Sequence, residues 1–121
     1  MALRPVLDAQ LPAAIQLLAQ WTSHEDENVR RFTTEATRPR GVWCAHIQAL
    51  KEQPELALPI LEPLKSDAAV YVQNSVGNWL NDASKTRPDF VSALCANWLT
   101  SSPTAATKKI VKRARRTLDN A

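Results

Sequence analysis

Residues 69 to 85 read AVYVQNSVGNWLNDASK, and this stretch decides the fold. Val72, Val76, Trp79, Leu80 and Ala83 recur at the spacing of one buried helical face, with Asp67 placed to act as N-cap. On the opposite side, Asn74, Asn78 and Asp82 form a polar stripe. Upstream, Asn28-Val29-Arg30-Arg31-Phe32 matches Tyr71-Val72-Gln73-Asn74-Ser75 at an offset of 43, and Ile110-Val111-Lys112-Arg113-Ala114 follows 39 residues later. Each copy is a helix preceded by a more proline-prone helix. That alternation is the antiparallel pair of a HEAT-type solenoid, whose repeats run to about 40–47 residues. The expected fold is therefore all-α, with HEAT-like tandem helical repeats forming an α-solenoid of about three helix pairs.

Seven helices are expected in all. Leu11 to Trp21 has Pro12 at a position suited to a first turn, with Ile15, Leu18 and Ala19 on one face. Asn28 to Thr37 follows Glu25, Asp26 and Glu27, whose charges suit a helix N-terminus; Val29, Phe32 and Ala36 form its apolar stripe. Pro39 and Gly41, within Arg38-Pro39-Arg40-Gly41, oppose any continuation. Val42 to Glu52 then carries Trp43, Ile47 and Leu50. From Pro54 through Lys65, the internal Pro59 and Pro63 require a late start or a kink. Pro88 starts a helix with Val91, Leu94, Cys95 and Trp98. Thr104 to Leu118 is last, with Val111, Ala114 and Leu118 turned inward and its basic residues outward. Trp21, Trp79 and Trp98 read as packing between repeats, and His24 and His46 as structural or solvated histidines.

Composition agrees with this assignment. The 121 residues are 45% apolar and 22% charged, which suits one ordered domain. Only Gly41 and Gly77 are glycines, too few for the turns of an all-β fold. No apolar run approaches the ~20 residues of a membrane span, and the start, MALRPVLDAQ, lacks the apolar core of a secretory signal. Cys44 and Cys95 are isolated thiols without metal-ligand spacing, so a reducing, cytoplasmic setting without membrane attachment is expected. The net charge is only +3, yet six of the 15 basic residues fall at Lys108, Lys109, Lys112, Arg113, Arg115 and Arg116. Such a cluster is either a solvated helix face or a surface for an anionic partner, nucleic acid first among them.

Because second helices stack side by side in a solenoid, equivalent positions become neighbours. The offset puts Arg31 beside Asn74 and Glu35 beside Asn78, with Asp82 one turn further on. By spacing alone, Arg31–Glu35 is a surface ion pair worth a few tenths of a kcal/mol. Trp43 is likewise a core residue by spacing, and Asp82 a solvated helix end.

The runs VRRFTTEATRPRGVW, LPILEPLKSD and YVQNSVGNWLNDASKTRPDFV give these residues a second meaning. They closely resemble the DNA alkylation repair superfamily of bacterial alkylpurine glycosylases, the AlkC and AlkD type, and within it the AlkC branch. The resemblance covers about three quarters of the chain, from Val29 to Leu118. It implies hydrolysis of the N-glycosidic bond of N3- and N7-alkylated purines in double-stranded DNA, without metal or organic cofactor. Arg31 and Glu35 match the family's Arg and Glu, Trp43 its aromatic, and Asp82 its second acidic residue. Glu35 and Asp82 are accordingly the expected catalytic pair. Arg31, Trp43, Asn78, Lys108, Lys112, Arg113 and Arg116 are the expected DNA-binding set.

That chemistry suits these residue types. Alkylation makes the purine cationic and a good leaving group, and the sugar left behind resembles the oxocarbenium ion that carboxylates stabilise in glycoside hydrolysis. Two acids supply the negative charge and orient or deprotonate a water. An indole stacks on the cation, and an arginine holds a phosphate. A shallow surface offers no pocket for an extruded base, and the resemblance implies recognition through lesion charge and duplex distortion instead.

Complete members of the family have roughly six repeats, against about three here. Residues 1–121 are therefore expected to be one HEAT-like domain, the C-terminal half of a longer glycosylase domain. Two other classes stay open: a DNA-binding repeat module that cuts nothing, and a protein-interaction scaffold completed by homo-oligomerisation.

Overall fold

The computed structural model describes residues 3–38 and 46–120. The described residues form α-helices and 3-10 turns and contain no strand. The helices are α1 (Leu3–Gln20), α2 (Glu27–Glu35), α3 (His46–Glu52), α4 (Leu58–Leu61), α5 (Val70–Ser84), α6 (Pro88–Ser101), α7 (Ala105–Ala114) and α8 (Arg116–Asp119). α5 lies between α2 and α7 in one layer, while α1 packs on α3 and α4, and α6 packs on α5 and α7. These are the second and first helices of three HEAT-like pairs.

α5 buries the face its spacing predicts: Val72, Val76, Trp79, Leu80 and Ala83 are all fully enclosed. Its N-cap, however, is Ala69 in extended backbone rather than Asp67. Asp67 instead accepts the Ala69 N–H at 2.9 Å and the Arg30 Nε–H at 2.8 Å. It ties α2 to the turn that enters α5, a use that a cap reading misses because Arg30 is distant in sequence.

α1 starts well before the expected Leu11, so Pro12 sits inside it at an exposed position instead of opening it. Packing of Leu11 and Ile15 into the core outweighs the local cost of that proline. Trp21 belongs to a 3-10 turn, Trp21–Ser23, and is a surface residue, unlike the fully buried Trp79 and Trp98.

α2 departs most from the apolar-stripe reading. Asp26 caps it by accepting the Asn28 N–H at 2.8 Å. The side it buries is made of Thr33 and Thr34, with Thr37 buried just past its end, while Phe32 is 51% exposed and leans on Trp21 with ring centroids 6.1 Å apart. Buried hydroxyls cost little here because each donates to a backbone carbonyl one turn earlier: Thr33 to Arg30, Thr34 to Arg31 and Thr37 to Thr33.

The proline-rich segment breaks as its residues demand. A 3-10 turn at Pro54–Ala57, α4, and a second 3-10 turn at Glu62–Leu64 follow in succession, burying Ala57, Ile60, Leu61 and Leu64. α7 is capped by Thr104, whose hydroxyl accepts the Thr107 N–H at 3.1 Å. The helix expected to run on to Leu118 breaks at Arg115 and resumes as α8. Val111, Ala114 and Ile110 face the core, and Leu118 packs against it.

Gly77 sets the distance between α5 and α7. A Cβ there would stand 2.8 Å from Cβ and Cδ of Arg113, closer than carbon atoms approach. The absent side chain lets the two inner helices touch. Among the described residues, no helix is long and apolar enough to cross a membrane.

Candidate functional site

The site is assembled where the end of α2 meets the last turns of α5. Trp79 donates its Nε1–H to the Thr37 carbonyl at 3.0 Å and to the Thr37 hydroxyl at 3.1 Å. This buried contact pins the chain just past α2 against α5, and Arg38 is the next residue. Arg38 Nε lies 2.9 Å from Asp82 Oδ2, and its Nη1 lies 3.8 Å from Glu35 Oε1. One guanidinium thus faces both acids.

The two acids differ in surroundings. The Asp82 side chain is 7% exposed, against 28% for Glu35. Glu35 Oε2 accepts the Ser75 hydroxyl at 2.6 Å, and the hydroxyl oxygens of Ser75 and Thr34 lie 2.5 Å apart. Arg31 Nη2 is 3.8 Å from Glu35 Oε1, while its guanidinium carbon stands 5.5 Å from the centre of the Tyr71 ring. The hydrogen bond to Asp82 holds the Arg38 guanidinium above its ordinary pKa, in opposition to partial burial.

The neighbours inferred from the repeat offset therefore need correction. Glu35 engages Ser75 and Arg31 engages Tyr71, whereas Asn78 accepts the Arg113 Nη1–H at 3.3 Å on the α7 side. Equivalent residues on stacked helices point the same way. The residues that touch are those on facing flanks, roughly one turn apart.

On that α7 side, Asn74, Lys109, Lys112, Arg113 and Arg116 line an open groove of about 370 Å³. Lys112, Arg113 and Arg116 were expected there. Lys108 is exposed but does not line the groove, and Lys109 does. Arg115 turns away to pair with Asp119 at 3.2 Å. Trp43, the expected stacking residue, lies outside the described residues, as does Cys44.

Sequence reasoning missed Arg38, Ser75 and Lys109 as members of the site. Arg38 was visible in the Arg38-Pro39-Arg40 run, but read as a helix break. Ser75 had no separate signal. Among the described residues, no group of three or more His, Cys, Asp and Glu is arranged to hold a metal ion. Cys95 is buried, and burial pushes its thiol up to about 11, so it is a packing residue.

Residues 2–119 match the family model described as DNA alkylation repair enzyme. The chain belongs to that family. As a member of the DNA alkylation repair enzymes, it is 43% identical over 117 residues to the uncharacterized protein YhaZ of Bacillus subtilis (strain 168), covering 97% of this chain and 32% of that one. Its structure also resembles that of Pseudomonas fluorescens alkylpurine DNA glycosylase AlkC bound to DNA containing an abasic site analog. The TM-score is 0.78 and the identity 35%, over 87% of this chain and 29% of that one. The chain thus spans about a third of the length of these relatives.

Proposed function

We propose that this chain acts in DNA alkylation repair, hydrolysing the N-glycosidic bond of N3- or N7-alkylpurines in duplex DNA. The observation that carries the reading is the convergence of Glu35 and Asp82, from adjacent inner helices, on the guanidinium of Arg38. The resemblance to an alkylpurine DNA glycosylase supports the substrate class.

In this mechanism the cationic base leaves, and positive charge develops on the sugar. Glu35, the more exposed acid, meets that charge and orients or deprotonates the attacking water. Asp82, nearly buried, adds its negative charge from α5, partly offset by the Arg38 guanidinium 2.9 Å away. Glu35 Oε1 stands 3.8 Å from both Arg31 Nη2 and Arg38 Nη1, beyond hydrogen-bond reach, so charge attraction rather than a fixed bond directs it toward the two guanidiniums. Trp43 stacks on the lesion through cation–π attraction. Arg31 and the groove of Lys109, Lys112, Arg113 and Arg116 hold backbone phosphates, Asn78 keeps Arg113 in place, and Lys108 adds charge beside them.

The test is release of methylated purine from alkylated duplex DNA. Glu35→Gln and Asp82→Asn should each slow release by about 10²-fold or more, with duplex affinity retained. Undiminished abasic-site formation by the double variant would remove both acids from the mechanism.

A second reading is a duplex-binding module that cuts nothing, favoured by a basic groove built apart from the acids. Salt-dependent duplex binding without base release would select it, because phosphate contacts displace counterions.

A further inference from the structure

We propose that Arg38 is the positioning residue of this site, one guanidinium that holds the carboxylates of Glu35 and Asp82 in a single geometry across two helices. The inference deepens the glycosylase reading and rests on it for its effect on base release.

Three observations carry it. First, different nitrogens of Arg38 face different acids: Nε is 2.9 Å from Asp82, and Nη1 is 3.8 Å from Glu35. The Nε hydrogen bond to Asp82 fixes the plane of the guanidinium and so aims Nη1 at Glu35 as a charge contact, a directional coupling that an ammonium ion lacks. Second, the backbone that carries Arg38 is anchored. Thr37 immediately before it donates to the Thr33 carbonyl at 2.8 Å and accepts the Trp79 indole N–H. The guanidinium is therefore delivered from a buried junction between α2 and α5. Third, Arg31 and Arg38 divide the work. Arg31 is 44% exposed and stacks over Tyr71, while the 31%-exposed Arg38 is committed to Asp82.

Asp82 cannot easily find another partner. Its side chain is nearly buried, and two carboxylates facing one guanidinium repel each other once that cation is removed. Loss of Arg38 should therefore let both acids drift from the position where sugar charge develops. Misplacement by about 1 Å costs on the order of 10² in rate. A phosphate-binding arginine would act differently, weakening duplex binding and reducing its salt dependence.

The experiment compares Arg38→Gln, Arg38→Lys and Arg38→Ala with Arg87→Ala as a control remote from the groove. Single-turnover base release from methylated duplex DNA is measured beside duplex affinity at several salt concentrations. Arg38→Gln should slow release by about 10²-fold at saturating DNA, with affinity and salt slope unchanged. Arg38→Lys should recover only part of the rate, and added guanidinium should partly rescue Arg38→Ala but not Asp82→Asn. Release by Arg38→Gln at the unsubstituted rate, or an effect expressed only through duplex affinity, would overturn the proposal.

An NMR arm separates this inference from the glycosylase reading. The Arg38 Nε–H resonance should be distinct in the unsubstituted chain and move in Asp82→Asn. An unmoved resonance overturns the clamp whether or not base is released. Absence of release by the unsubstituted chain counts against the glycosylase reading, leaving the clamp to the NMR result. Should Arg38→Ala fail to fold, Arg38→Lys and the Asp82→Asn spectrum still decide.

Discussion

Replacing Gly77 by alanine sets two opposed effects against each other, and the structure predicts which wins. In the middle of a helix, alanine is favoured over glycine by about 0.8–1.0 kcal/mol. At position 77, however, the new methyl group would stand 2.8 Å from Arg113 Cβ and Cδ and 2.9 Å from Cγ. Rotating the arginine moves Cγ and Cδ aside but leaves Cβ, which is fixed to the α7 backbone. α7 must then withdraw by roughly 0.6 Å to restore ordinary contact at 3.4 Å. Overpacking of this kind costs about 1–3 kcal/mol. The net result should be a destabilisation of up to about 2 kcal/mol, lowering Tm by a few degrees for each kcal/mol. The same displacement moves Lys109, Lys112, Arg113 and Arg116 relative to Asn74, so duplex affinity should fall as well. Urea unfolding followed by circular dichroism measures the first effect, and fluorescence anisotropy with labelled duplex the second. In an Arg113→Gly background the obstruction is gone, and Gly77→Ala should regain its helix-forming advantage of about 1 kcal/mol. A Gly77→Ala protein that is more stable than its parent by that amount, with unchanged duplex affinity, would refute the close α5–α7 contact.

Two further perturbations probe the scaffold behind the site. Trp79→Phe removes both hydrogen bonds to Thr37 and leaves its buried carbonyl without the indole donor, so urea titration should show a loss of about 2–4 kcal/mol; a loss below about 0.5 kcal/mol would contradict the anchoring role. Burial pushes the Cys95 thiol from its ordinary value of 9.0 up to about 11 in the folded chain. Its raised folded value means that the unfolded chain loses this proton first as pH rises. The contribution to stability is therefore present below about pH 9 and declines by about 2–3 kcal/mol toward pH 11. Stability of the parent minus that of Cys95→Ala, followed between pH 8 and 11, should fall along that course, and a flat difference would show the thiol is not held in its buried form.

Much of the architecture was legible in local pattern. The Val72/Val76/Trp79/Leu80/Ala83 spacing, the prolines at 54, 59 and 63, and the basic run at the end of the chain each act within one or two helical turns. Such short-range effects are properties of the sequence itself, as is the motif resemblance that pointed to the family and to Arg31, Glu35, Trp43 and Asp82. Tertiary structure decided which flanks meet. It buried the threonines of α2, whose hydroxyls bond to their own helix, and left Phe32 outside against Trp21. It also turned Arg38 from the residue before a helix-breaking proline into the link between two acids. That role depends on Asp82 and Glu35 arriving from separate helices, and no periodicity within either helix encodes their meeting.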